Sequence, residues 1–465
     1  MTDYLFLLFI ALFAGGCVGN ERLSRADKEG GKGNSITGVL WFFLLPLSIP
    51  RLPFWFALAS GVIFALGYAG WMLGKLRLAL PISLMLACSQ TLVWTLFAIG
   101  TWKLWNFPFP LDCVLIASWG TALFWLEWTL LPLWGTAQNF TCSSPINHPF
   151  IAFFGASGGT WSSIFVSALF GVVISSIDEG LLRGHPAPLF MSVALILGSV
   201  IFVSALDSLF LKQKNPQTLR VATFGWSGPQ FDALTEIPAE YQNVARQASE
   251  QGARLLVTPE AAIRVGDRVH FRVAMCSLAQ RYNIALAIGY FDQGENRNCI
   301  DFVSAQGEVV GRYVKTHLVP IFERYTRGTG EIALMEVDGI KVGGIICQDD
   351  NFPDIARKYA RAGTQLLVVP TNDWKKVKDI HLSNHLWRAL EFRFALARAA
   401  SDGISALTSA GGTIETSIDH FQDGPKLLVT DLKVGSGKPT LYARTGDWFP
   451  IACGIAAVGA LVWTR

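Results

Sequence analysis

Three residues in this chain could between them break and form an acyl bond, and each stands where an apolar run gives out. Cys347 closes GGIIC and is followed by Gln348, Asp349 and Asp350; Glu260 ends LLVTPE; Lys315 follows GRYV. A thiol becomes a nucleophile once its proton is gone, and a nearby carboxylate can take that proton. An ammonium can hold the thiolate and the oxyanion that attack creates. An apolar run ending in Asp and Asn reads as a buried strand turning into a helix. Cys347 is therefore expected at the positive end of that helix, where a thiolate is stabilised. Taken alone, each residue also has an ordinary reading. Glu260 would be a helix-start acid after Pro259, Lys315 a solvated charge and Cys347 a small core thiol. The order Glu, Lys, Cys at three strand ends outweighs those readings.

The elements that must position the three lie in a polar stretch, 212–447. Apolar strands are expected over 219–226, 253–260, 284–291, 299–307, 308–315, 340–347, 364–371 and 404–412. Amphipathic helices are expected over 237–252, 267–282, 353–362 and 379–400. Near-continuous apolar strands alternating with helices predict an α/β domain of two sheets covered by helices.

The rest of the chain has another composition. Of the 465 residues only 16% are charged and 51% are hydrophobic, with 16 Trp and 32 Phe, against ~25% charged in soluble domains. Most of the apolarity falls before residue 212, with a short piece after 447. Runs over 4–19, 36–49, 53–73, 79–99, 111–133, 161–177, 188–211 and 448–463 approach the ~20 residues that span a bilayer. Trp102, Trp105, Trp134, Trp161 and Trp448 stand at run ends, where interfacial anchors belong. The first run lacks a small-residue cleavage site after it and reads as an anchor. The expected organisation is a membrane domain of about seven helices over 1–211, a catalytic domain over 212–447 and a last membrane helix over 448–465. A cytoplasmic N-terminus would put loop 20–35, with Arg22, Arg25, Lys28 and Lys32, outside together with Lys75 and Arg77. The positive-inside rule opposes that arrangement. A net charge of +3 without a basic stripe argues against nucleic acid as a partner. Eight cysteines without a CxxC pair suggest neither a zinc site nor a disulfide framework, and Cys276 and Cys299 read as free thiols.

The stretches PEAAI, YVKTHLVPIFE, GGIIC and TNDW, followed by HLWRALEFRFALARAASDGISALTSAGG, resemble the nitrilase superfamily. With the apolar runs on either side and the closing YARTGDWF, nearly the whole chain resembles the bacterial apolipoprotein N-acyltransferase family. The resemblance implies an αββα sandwich beside a polytopic α-helical membrane domain, with Glu260, Lys315 and Cys347 as a catalytic triad. It implies attack by Cys347 on the sn-1 ester of a phospholipid, usually phosphatidylethanolamine, to give a thioester. The acyl chain then passes to the amine of a diacylated lipoprotein. Glu260 would shuttle the proton, Lys315 hold the oxyanion, and Glu323 order the site. The implied setting is the bacterial inner membrane with the catalytic domain periplasmic; membrane lipids surround a monomer that needs no cofactor and no metal.

Three places depart from the family pattern. Gln348-Asp349 stands where Tyr-Glu is usual, Ser401-Asp402-Gly403 where Asn-Asn-Gly is, and Phe224-Gly225-Trp226 replaces Gln-Gly-Asn. These leave the triad intact and bear on donor or acceptor. Segment 318–330 carries Arg324 and Arg327 and reads as a lid whose guanidiniums meet a phosphate, or as a plain surface loop. Trp374 is expected to pack near the site. His381 and His385 could share a metal on one helical face but lack a third ligand, so they are expected as helix-surface histidines. Arg388, Glu391, Arg393 and Arg398 are expected as ion pairs around the long helix. A membrane-tethered amidase, in which water replaces the amine, is the rival reading; a non-enzymatic scaffold is the third.

Overall fold

The computed structural model describes residues 80–130, 148–178, 187–206, 216–226, 230–233, 238–320, 322–375, 377–421 and 426–463, with seven single positions between 54 and 66. The expected spans 4–19 and 36–49 and the basic loop 20–35 lie outside the described residues, as do Lys75, Arg77 and Trp134. The chain forms two compact units, Met1–Lys212 with Thr445–Arg465, and Gln213–Arg444.

The first unit is helical where described: Leu80–Leu104, Leu111–Leu130, His148–Phe154, Ala156–Asp178, Ala187–Leu206 and Trp448–Trp463. Trp94, Phe97, Phe124, Ile164 and Leu169 form its core. By length and composition one described helix, Leu111–Leu130, can cross a membrane; Trp448–Trp463 is apolar but shorter. The outer faces stay apolar, with Phe190, Leu197, Ile201 and Phe202 exposed on one helix and Ile455, Val458 and Val462 on another.

The second unit holds two sheets. Seven strands open the chain order: β1 (Thr218–Phe224), β2 (Phe231–Ala233), β3 (Leu255–Val257), β4 (Ile263–Val265), β5 (Ala285–Asp292), β6 (Arg297–Val303) and β7 (Val309–Val314). They make one sheet with β14 (Leu427–Lys433), which pairs antiparallel with β1. The other sheet is β13-β12-β11-β10-β9-β8, built from β8 (Met335–Val337), β9 (Ile340–Gly344), β10 (Leu366–Asn372), β11 (Ala395–Ser401), β12 (Ile404–Thr408) and β13 (Ile414–Asp419). Residues of both sheets, among them Val257, Phe302, Val342, Val368 and Leu396, share one buried core. Helices Ala239–Glu250 and Arg268–Tyr282 pack on the first sheet through Tyr241, Phe271 and Met275. The sheets close tightly below the nucleophile. A Cβ on Gly344 would meet Val368 at 2.8 Å and Phe302 at 2.9 Å, so only glycine fits.

The long helix expected over 379–400 is shorter than its composition suggests. It runs Lys378–Phe392 and ends at Arg393 in the left-handed conformation, φ 56°. Residues 395–401 form β11, paired in parallel with β10 along its whole length. FALARAAS has helix formers throughout, but burial of every residue of β11 between its neighbours overrides that preference.

Candidate active site

Cys347 follows β9 at the head of a short 3₁₀ turn, Cys347–Asn351. Its φ of 45° lies in the left-handed region, which costs a residue with a side chain about 1–3 kcal/mol. Its thiol sits 3.7 Å from the carbonyl oxygen of Asn372, at the end of the neighbouring strand β10. The expectation of a helix-stabilised thiolate gives way here. Burial, reinforced by the charge of Glu260, pushes the thiol well above its ordinary value, with Lys315 pulling the other way. A single 3₁₀ turn has little dipole to oppose full desolvation.

The structure brings the three expected residues together. Glu260 lies beyond β3 and Lys315 directly after β7, so carboxylate and ammonium come from one sheet and the thiol from the other. Glu260 Oε1 accepts from Lys315 Nζ at 2.7 Å and from Asn298 Nδ2 at 2.7 Å, and Glu260 and Cys347 are close enough for each to act on the other's proton. Lys315 Nζ donates a second bond to Glu323 Oε1 at 2.7 Å, and Glu323 Oε2 accepts from Val319 N–H at 2.8 Å. Burial raises the Glu260 carboxyl above its ordinary range and Glu323 adds to that, with Lys315 in opposition. Burial alone would lower Lys315, but the charges of Glu260, Cys347 and Glu323 hold it well above its ordinary value, so it stays an ammonium.

Asp349 is a clasp between the elements carrying Lys315 and Cys347. It is fully buried and accepts from Tyr313 Oη at 2.8 Å, Thr316 N–H at 3.2 Å, His317 N–H at 2.7 Å and Ile346 N–H at 3.1 Å. Its short side chain suffices because the loop after β7 comes to it. Gln348, also buried, accepts from Asn351 Nδ2 at 2.8 Å. Trp374 is half-exposed with its ring centroid 6.2 Å from that of exposed Phe322. Arg324 and Arg327 are exposed. Their segment is tied down by Thr326 N–H to Asn296 O and Gly328 N–H to Lys315 O.

Beneath the nucleophile lies a layer that the sequence reading placed wrongly. His381 and His385 are buried, not on a helix surface. His381 Nδ1 is 2.6 Å from Asp373 Oδ1, and His385 Nδ1 is 3.0 Å from Asp350 Oδ2. Arg398, on β11 instead of a helix, donates to Asp373 Oδ2 at 2.7 Å and reaches Asp350 Oδ2 at 3.4 Å. Arg388 and Glu391 do pair, at 2.9 Å. Burial works against the charge of Asp373, but His381 and Arg398 hold its carboxyl below the usual range; His385 and Arg398 do the same for Asp350. The available signal was two Asp, two His and an Arg inside apolar context, a pattern that requires mutual pairing.

The carbon-nitrogen hydrolase family profile matches residues 222–440. An apolipoprotein N-acyltransferase of Geobacter metallireducens is 30% identical over 352 residues, covering 66% of this chain and 66% of that one. Another, from Nostoc sp., is 25% identical over 461 residues, covering 91% and 86%. The chain is an apolipoprotein N-acyltransferase-like member of the carbon-nitrogen hydrolase superfamily. Among solved structures, a nitrilase-superfamily amidase of Nesterenkonia AN1 aligns at 24% identity and TM-score 0.41, covering 51% of this chain and 95% of that one.

Two departures from this superfamily's pattern meet in space. Trp226 bridges Ser401, with Trp226 N–H to Ala400 O and Asp402 N–H to Trp226 O. The Ser401 hydroxyl lies 3.5 Å from the carbonyl of Glu260. Beside Glu260 a cavity of about 260 Å³ is lined by Glu260, Glu323, Tyr325, Phe291, Arg264 and Asn372 among others. Arg264 supplies a positive charge to that lining. Among the described residues one group, Cys347, Asp373 and His381, brings possible metal donors within 4.8 Å of one another. The ring nitrogens of this histidine already face Asp373 and the Cys347 carbonyl, so the group is satisfied without an ion.

Proposed function

We propose that this protein transfers a phospholipid acyl chain to the N-terminal amine of a diacylated lipoprotein through a thioester on Cys347. The observation that carries this reading is the buried Glu260–Lys315 pair at 2.7 Å, with the equally buried Cys347 close enough for its charge to act on Lys315 and for theirs to act on it. In the first half-reaction Glu260 takes the thiol proton as Sγ attacks the sn-1 ester carbonyl. Lys315 holds the oxyanion. Collapse breaks the ester bond, and Glu260 returns the proton to the leaving glycerol oxygen, releasing the lysophospholipid. In the second half the lipoprotein amine attacks the thioester and Glu260 takes the amine's proton. The thiol leaves reprotonated, and an amide remains. Glu323 fixes Lys315 from the side opposite Glu260, and Asp349 sets the distance between the two strand ends. Arg264 in the cavity lining, with Arg324 and Arg327 outside it, suits a phosphate-bearing donor such as phosphatidylethanolamine.

In this reading the catalytic domain covers 212–447, and the flanking parts, 1–211 and 448–465, form the polytopic membrane domain. The exposed apolar faces of Ala187–Leu206 and Trp448–Trp463 support it, since such faces suit lipid tails. The protein resides in the bacterial inner membrane, with the catalytic domain on the periplasmic side where lipoproteins mature, and works as a monomer.

Intact mass spectrometry tests the reading. Purified protein mixed with phosphatidylethanolamine should gain the mass of one acyl chain, and a diacyl lipopeptide should then remove it. Cys347→Ala should abolish the gain. An acyl-enzyme that passes its chain only to water would instead identify a membrane-tethered hydrolase; no adduct at all would rule out the phospholipid donor.

A further inference from the structure

The left-handed backbone at Cys347 persists only where neighbours hold it. On its N-terminal side Ile346 N–H donates to Asp349 Oδ2 at 3.1 Å. On its C-terminal side the Cys347 carbonyl faces His381 Nε2 at 3.2 Å. A carbonyl and a carboxylate both only accept, so Nε2 donates to the Cys347 carbonyl and Nδ1 to Asp373. The ring is fixed from behind by Asp373, 2.6 Å from Nδ1, and Asp373 is fixed by Arg398 on β11 at 2.7 Å. Arg398 Nη2 also lies 3.1 Å from His381 Nδ1, but its shorter contact directs a proton to Asp373. All three side chains are buried. The sequence Arg398, Asp373, His381, Cys347 carbonyl thus links the middle of the second sheet to the backbone of the nucleophile.

We propose that His381 is a positioning residue: by holding the Cys347 carbonyl it fixes the turn so that Sγ points at Glu260 and Lys315. It is not a second proton carrier, because one ring nitrogen is committed to the Cys347 carbonyl and the other to Asp373. The proposal rests on Cys347 being the nucleophile of the reaction described above, and only its acylation readout depends on the phospholipid.

His381→Asn and His381→Gln separate the two ends of the ring. Asn offers a donor near the Nδ1 position and keeps the Asp373 contact; Gln reaches the Nε2 position and keeps the carbonyl contact. Alkylation of Cys347 by iodoacetamide should slow roughly tenfold or more in the Asn variant and return to within about threefold of wild type in the Gln variant. The rate constant for acyl-enzyme formation from phosphatidylethanolamine should follow the same order with KM unchanged. Equal losses in both variants, or none in either, would overturn the proposal. Should both fail to fold, Asp373→Asn leaves His381 in place but frees its ring; it must then slow alkylation at unchanged KM, and a normal rate sinks the idea. If alkylation follows the pattern while wild type forms no acyl-enzyme, the positioning role stands and the donor assignment falls.

Discussion

Glu260 and Cys347 both hold their protons more tightly than they would in water, and this fixes how the reaction should depend on pH. Burial raises the carboxyl above its ordinary 4.5 and the thiol above 9.0. Only the ionised carboxylate can take the thiol proton, so a low pH must silence the site. The alkylation rate of Cys347 should fall as pH drops through a midpoint above 4.5. In Glu260→Gln that limb should vanish, leaving slow reaction until the thiol ionises unaided. A wild-type midpoint at or below 4.5 would contradict the desolvated carboxylate. Glu260, Lys315 and Cys347 were legible because each interrupts an apolar strand with a reactive group. Asn298, bonded to Glu260, was not, because one amide inside RNCIDFV signals nothing about where it points.

The nucleophile turn and the loop after β7 are held together by Asp349. Asp349→Asn would aim an amide N–H₂ at a ring of N–H and O–H donors. It should lower stability by about 1–3 kcal/mol in a denaturant titration with unchanged m. Nearby, burial would lower the His317 imidazole, but its bonds to Asp349 and Asp354 raise it from 6.5 to about 9. A folded-state value above the unfolded one means that protonation favours the fold. The contribution is complete below about pH 6.5 and disappears as pH rises through about 9. The melting temperatures of wild type and His317→Ala should therefore differ most near pH 6 and converge by pH 10; a constant gap would refute the pairing. Elements with strong punctuation were readable, as at Asp267, whose side chain caps Arg268–Tyr282, and Pro353 at the start of Pro353–Arg361. Strand β11 was not, because alanines carry no period, and only pairing with β10 decides their conformation.

Composition changes abruptly near residue 212, and the chain forms two compact units, Met1–Lys212 with Thr445–Arg465, and Gln213–Arg444. Sidedness follows from charge counting only weakly, since the basic loop 20–35 opposes the arrangement that lipoprotein acylation requires. A reporter fused after residue 440 should be active only when exported; one active only in the cytoplasm would exclude the proposed acceptor.

The pairing of β1 with β14 has a consequence for the order in which the protein comes into being. Arg220 on β1 meets Asp431 on β14 at a sequence separation of 211. Until the ribosome has released residue 433, β1 is a bare edge, and the sheet that carries Glu260 and Lys315 is unfinished. That edge closes only with the last strand, although β3, β5, β6 and β7 are complete before Cys347 is made. An unpaired edge strand is a template for other chains, so a product that stops short of residue 427 is expected to associate through β1.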